Sequence, residues 1–392
     1  MFANSLFRVG VILILTGLLW AWIACPAVGQ PAEEEPAAVA NVEPAEEPDV
    51  TATAFRTPIF RLRGVPNMFG DFLFTGGQIY PQVPGGPNGR ASFPPIGGGR
   101  VKISENNKAL PMDRVFFMFN HFQNGIQTTG NLPSASVDRC TIGLEKTFVD
   151  GLWSAELRMP FMGSYDYSLT GFGFAEPEAG NLTVTLKRLL CETYYGAVAM
   201  GLGINTPTGG GMTGQIGLNT PDTFTMRNDA LYLVPWIGFL SAPNDRVFYQ
   251  GFLQVDIAAN GNRVIVTDSG GVTTDFGRLA QQNLLEVDLS VGYWLHRDPR
   301  ACYLTGLAGI LELHYNTTLQ DARIMSFAPP VITDRMRLGN IYNRMDIWNI
   351  TAGLHAAVGD NTTVRVSGIL PLGKGGDRLF DSEVRVSINR YF

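Results

Sequence analysis

Charge is scarce in this chain: only 16% of its 392 residues are Asp, Glu, Lys or Arg. Nucleic-acid binding needs clustered cations, and so lean a composition argues against it. Cysteine is scarcer still. The four residues Cys25, Cys140, Cys191 and Cys302 show no CxxC or CxxH spacing, which excludes the usual structural zinc sites. The histidines His121, His296, His314 and His355 stand singly, without an HExxH or HxH pair. None has a Ser two residues away, which disfavours a His–Ser hydrolase site on one strand face. A phosphate loop is missing as well: "PLGKGGD" places Gly375 where Ser or Thr should follow Lys374, and "GGGR" at 97–100 has no helix after it. Catalytic residues, metal ligands and cofactors are therefore expected to be none. His314 with Glu312, two apart on one strand, is the best acid/base candidate, and a hydrogen-bonded pair is the simpler reading.

What the chain does hold is 45 Gly, 24 Pro and 24 Phe, with a mean hydropathy of +0.06. Such a composition reads as rich in strands and turns. Residues 1–29 carry one cation, Arg8, then an apolar stretch and Ala27-Val28-Gly29, which together read as an export signal cut before Gln30. An uncleaved anchor over residues 9–29, and a lipoprotein route through Cys25, are the alternatives. Residues 30–54 follow as an acidic Pro/Ala-rich linker; "PAEEEPAAVANVEPAEEPD" carries seven carboxylates and no cation or aromatic, so it cannot bury enough apolar surface to order itself. Without Arg8 and those seven acids the chain carries 28 cations and 28 anions, a neutral body. In an exported chain Cys140, Cys191 and Cys302 remain, and three buried thiols are favoured over one disulfide and a spare thiol.

Side chains on a strand alternate between faces, so an apolar face recurs every second residue. In "LWSAELRMPF" Trp153, Ala155, Leu157, Met159 and Phe161 oppose Ser154, Glu156 and Arg158. Leu285, Val287, Leu289, Val291, Tyr293 and Leu295 likewise oppose Glu286, Asp288, Ser290 and His296, with Trp294 as the exception. Similar stretches surround residues 142–148, 182–187, 247–257, 307–315, 348–358, 364–370 and 384–392, and further strands are expected near 114–122, 195–205 and 229–240. The fold class is all-β, an antiparallel transmembrane β-barrel of about 12 strands and up to 14. Short gaps alternate with the long gaps 162–180, 206–227, 259–282 and 317–343, as periplasmic turns alternate with outer loops. A soluble sandwich shares the period of two. The aromatics Trp153, Phe161, Tyr293, Tyr315, Trp348 and Phe392, at strand ends on the oily face, favour the membrane, where they form interfacial girdles.

The final strand has Val384, Val386, Ile388 and Phe392 on its oily face, with Arg390 and Tyr391 just before the end. It resembles the carboxy-terminal assembly signal of bacterial outer-membrane β-barrel proteins, which implies the barrel-assembly machinery as a partner. "GLGINTPTGGG", residues 201–211, resembles a strand and loop of outer-membrane channels linked to aromatic-compound degradation. That resemblance implies passage of small solutes, apolar ones included. "TIGLEKTFVDG" and "LVPWIGFLSAPNDRVFYQGFLQVD" are similar to uncharacterised barrels of planctomycete-type bacteria.

The expected organisation is a signal peptide at 1–29, the linker at 30–54, an irregular segment at 55–97 that could plug the lumen or strap it, and a barrel over 98–392. The expected lumen residues are Glu145, Glu156, Arg158, Lys187, Asp256, Glu286, Asp288, Glu312, His314, Arg365 and Arg385, which either line an aqueous path or pair across it and close it. The expected location is the outer membrane, with its lipid as partner and no nucleic acid; the oligomeric state is left open. The expected function is a passive channel, with a closed structural or surface-interaction barrel, and a secreted soluble β protein, as the alternatives.

Overall fold

The computed structural model describes residues 62–71, 77–82, 91–93, 95–127, 134–162, 167–169, 172–175, 179–216, 222–327 and 335–392. The expected signal peptide and acidic linker lie outside them. Twelve antiparallel strands close into a barrel: β1 Arg114–Ile126, β2 Ala135–Phe148, β3 Trp153–Met162, β4 Thr183–Glu192, β5 Gly196–Asn205, β6 Tyr232–Ser241, β7 Val247–Ala258, β8 Leu284–Arg297, β9 Leu304–Thr318, β10 Asp346–Val358, β11 Thr362–Pro371 and β12 Ser382–Tyr391. Each strand pairs with its neighbour in sequence. β12 closes the wall against β1, with Val386 opposite Phe119 and Arg390 opposite Val115. Closure leaves the wall no unpaired edge, as a bilayer requires of any sheet that crosses it.

Burial alternates along the strands as the sequence pattern requires. On β8, Glu286, Asp288 and Ser290 point inward and are buried, while Leu289, Val291, Tyr293 and Leu295 are exposed on the outside. The outer surface carries a band of exposed Leu, Val and Ile, bounded by aromatics at both ends. Phe148 and Trp153 stack at 6.3 Å near the short turns, and Tyr315 lies 4.5 Å from Trp348 near the long loops. Apolar side chains exposed in such numbers are stable only against lipid.

One end of the barrel has tight turns. Val149, Asp150 and Gly151 all adopt positive φ (53°, 54° and 80°), and only Gly151 does so without steric cost. At the other end, the segments read from sequence as long gaps contain further strands. Hairpins from three successive loops (167–169 with 172–175, 212–216 with 222–226, and 262–267 with 273–279) join in one six-stranded sheet. A four-stranded sheet combines 325–327 and 335–339 with 77–82 and 91–93. Buried Phe93, Met212, Phe224, Val264 and Leu338 share a core there. Their short runs among Gly, Thr and Asn hid these strands from the periodicity. Three cysteines fall in the described residues. Cys140 and Cys191 are half-buried on the wall, and Cys302 is exposed in a turn, so the expectation of three buried thiols fails.

Candidate functional site: the lumen and its insert

The wall begins at Arg114, and residues 62–71 and 95–113 lie inside it. Their partners fix the position. The main chain and side chains of these two stretches bond to Arg139 on β2, Arg158 on β3, Lys187 on β4, Gln250 and Gln254 on β7, Asp288 on β8, Glu312 on β9, Asn349 on β10, Arg365 on β11 and Arg385 on β12. Only a segment within the lumen reaches so many strands around the ring. The chain rises from Leu62 near the short turns to Asp71, contributes 77–82 and 91–93 to the four-stranded sheet, and descends through 95–113 to enter β1. The two passes bond to each other, with Met68 N donating to Asn107 O at 2.8 Å and Asn106 N to Phe69 O at 3.3 Å.

All eleven lumen residues expected from the sequence point inward, and none is more than 3% exposed. The structure brings them together in clusters with insert residues the sequence had not singled out. In one cluster Arg114 bonds Glu145 at 3.0 Å and Glu156 at 2.8 Å, Lys187 reaches Glu145 at 2.9 Å, and Arg158 pairs with Glu156. In a second, Glu105 of the insert pairs with Arg139 and, at 2.9 Å, with Arg385, which also holds Glu383 at 2.7 Å. Burial alone would raise the Glu105 carboxyl, but Arg139 and Arg385 hold it below its ordinary value.

The third cluster centres on Lys102. Its ammonium lies 2.7 Å from Asp288 and 2.8 Å from Asn316 Oδ1 and bonds Asp71 of the ascending pass. His314 Nδ1 sits 2.7 Å from Asp288 and 3.2 Å from Asp71, and its Nε2 lies 3.0 Å from Thr351 Oγ1 and 3.4 Å from Glu312. Asp71, Asp288 and His314 have the spacing of a cation site, and a protein ammonium already bonds both of its carboxylates. Burial pulls the Lys102 pKa down, but Asp288 and Asp71 outweigh it and raise it above the ordinary lysine value. The His314–Glu312 pair read from sequence is thus one contact of a larger network, and not its shortest.

Glu312 has a second role, accepting from Phe69 N at 2.8 Å and Gly70 N at 2.9 Å. The Phe69 ring lies under the Arg365 guanidinium, 4.2 Å from its centroid, and over Gly353, where any Cβ would stand 2.6 Å from the ring. Arg100 pairs with Asp256 at 2.8 Å. Glu286 differs from the rest: it is fully buried, yet neither carboxylate oxygen has a hydrogen-bond partner among the described residues.

The lumen is not polar throughout. Trp236, Phe248, Phe252, Trp294 and Ile310 face inward from β6 to β9 and pack with Leu62, Val65, Met68, Phe69 and Leu110 of the insert. Trp294, the exception in the β8 alternation, belongs to this sector. Around Phe116 on β1 and Trp236 on β6 both faces are apolar, so these inward residues could not be separated from their outward neighbours by pattern alone. A cavity of about 460 Å³ opens where this sector meets the short-turn end, lined by Arg63, Lys108, Leu110, Trp294, Arg297 and His355 among others.

Lys108 supplies a pH lever. It is 2% exposed and donates to Arg63 O at 2.5 Å and Val65 O at 2.9 Å. Burial, with the Arg114 and Lys187 charges beside it, pushes its pKa down to about 7. Between pH 7 and the ordinary lysine range, released insert binds a proton that docked insert does not. Docking is therefore expected to tighten as pH rises above 7, by up to ~1.4 kcal/mol per unit, and to gain nothing from this group below 7. Protease protection of the insert from pH 6 to 9 should show that slope, and Lys108→Met should abolish it. The same slope in the variant would assign it elsewhere.

A closed twelve-strand wall, an apolar outer band and a lumen filled by an earlier stretch of the same chain define a plugged transmembrane β-barrel. No protein-family model matches the chain, and no curated protein does. Among solved structures the chain is similar to an outer-membrane channel from Pseudomonas putida F1 (9% identity, TM-score 0.44, covering 73% of this chain and 97% of that one). It is also similar to the NanC porin (8%, 0.39, 71% and 100%) and to the toluene transporter TodX of Pseudomonas putida (7%, 0.37, 71% and 89%).

Proposed function

We propose that the protein is a passive outer-membrane channel for small solutes, closed in this conformation by residues 62–71 and 95–113. The observation that carries the reading is what fills the lumen. A barrel of about eight strands is filled by its own side chains, and wider ones hold a ligand, a channel or a plug. Here twelve strands enclose a separate length of chain, tied to the wall by ion pairs and hydrogen bonds that water can replace. Displacing it leaves a wall with charged groups along one side and aromatic groups along the other, suited to solutes with an apolar part. The density of buried ion pairs favours a second reading, a permanently closed structural barrel. Single-channel recording on the full exported chain in planar bilayers separates the two: discrete steps whose frequency rises under mild urea support gated passage, and silence from folded protein throughout supports the closed barrel.

Export by residues 1–29 and insertion through the last strand belong to the same proposal. Val384, Ile388 and Phe392 are exposed on the outer face, at 49%, 44% and 61%, beside the half-buried Val386. Phe392 also receives Lys146, whose Nζ lies 5.1 Å from its ring. Deleting Phe392 is expected to lower the amount of folded barrel in the membrane, read as the heat-modifiable band on gels. An unchanged band would remove Phe392 from the assembly signal.

A further inference from the structure

The cavity at the short-turn end carries an arrangement that neither the closed lumen nor its gating uses. Its rim is exposed, and its floor is buried. The floor holds Lys108 and His355, 2% and 3% exposed, beside Trp294, Val65 and Leu110. Lys108 bonds only main-chain carbonyls, and no carboxylate of the described residues lies within ion-pair distance of it. His355 Nδ1 has no hydrogen-bond partner among the described residues, while its ring meets Trp294 edge-on at 5.8 Å between centroids. Two buried nitrogen groups thus line one cavity, and neither is paired with a carboxylate of the described residues. Arg63 and Arg297 at the rim add positive charge. Of the two acids in the lining, Asp113 is committed to Thr147, at 2.6 Å from its amide nitrogen, and to Lys146, while Asp360 lies exposed on the rim.

We propose that this cavity binds a small carboxylate bearing an aromatic or aliphatic body. The carboxylate accepts from Lys108 and His355, and the body lies against Trp294 and Leu110. A single ammonium and a single imidazole suit a monoanion. A phosphate dianion would need the guanidinium forks or amide nests that the floor lacks. The depressed pKa of Lys108 fits a site whose charge is completed by its ligand. The site stands on the barrel and its insert and not on solute passage, so it is tested without a bilayer.

The experiment is calorimetric titration of the full exported chain, folded in a neutral detergent, with 2-naphthoate and with the uncharged 2-naphthalenemethanol, each corrected for micelle partitioning. Naphthoate is expected to bind about tenfold more tightly than the alcohol. Lys108→Met should erase that preference and leave alcohol binding within about twofold, and Trp294→Leu should weaken both ligands. Equal affinity of acid and alcohol for the unaltered protein, or a preference that survives in folded Lys108→Met, overturns the proposal. Because the acid-to-alcohol comparison is made on the unaltered protein, it decides the matter even where a variant fails to fold.

Discussion

Lys102→Met is expected to free the insert from the wall while the wall itself stays folded. The ammonium bonds Asp71 of the insert and lies 2.7 Å from Asp288 of β8; without it, two buried carboxylates and His314 face one another with no cation but the imidazole to share. Removing one partner of a buried ion pair costs about 3–5 kcal/mol, because the remaining charge keeps its desolvation penalty. That cost falls on docking of the insert, since the wall is held by main-chain ladders that Lys102 does not join. Three results are expected together: faster cleavage within residues 62–113, more frequent conductance steps, and an unchanged heat-modifiable barrel band. The double variant Lys102→Met with Asp288→Asn should recover much of the docking, because the buried negative charge is removed with its partner. Protease resistance and silence equal to the unaltered protein would show that the insert is held by its apolar contacts, Phe69 over Gly353 foremost, and not by this network.

The wall was largely legible in the sequence because lipid imposes a simple rule. Where the outside is oily and the lumen wet, as on β3, β8 and β12, alternation marks both the strand and its facing. Glu286, Asp288 and Arg385 were placed inward on that ground alone. The rule fails where the lumen is also apolar: Phe116 on β1 and Trp236 on β6 sit among residues apolar on both faces, and nothing in a period of two says which way they turn. It has no purchase on the insert either. Asp71, Lys102 and Glu105 lie in irregular chain among Gly, Pro and Asn, and each reads as an isolated surface charge until the fold carries it to a partner hundreds of positions away, as in Lys102–Asn316; Lys108 is carried only as far as the carbonyls of Arg63 and Val65 on the other pass. The loop hairpins escaped because their strands are short, three to seven residues each, too few for an alternation to show.

Leu289→Arg, by contrast, tests the outer face. Leu289 lies mid-strand on β8, 42% exposed, with Gly251 of β7 and Leu313 of β9 beside it in register. A guanidinium there is held near the bilayer midplane and should cost about 2–4 kcal/mol of barrel stability, read as a lower denaturant midpoint in lipid vesicles. Tyr293 shares that face, 43% exposed, four residues nearer the short turns. At roughly 3.3 Å per residue it stands some 13 Å from Leu289 along the strand, in reach of the headgroups, so Tyr293→Arg should cost no more than about 1 kcal/mol. The gradient between the two is the diagnostic quantity. A face packed against another protein would penalise both substitutions by their local fit, without regard to height, and a face in water would penalise neither. Only a hydrocarbon layer centred near Leu289 makes the cost fall with distance from it.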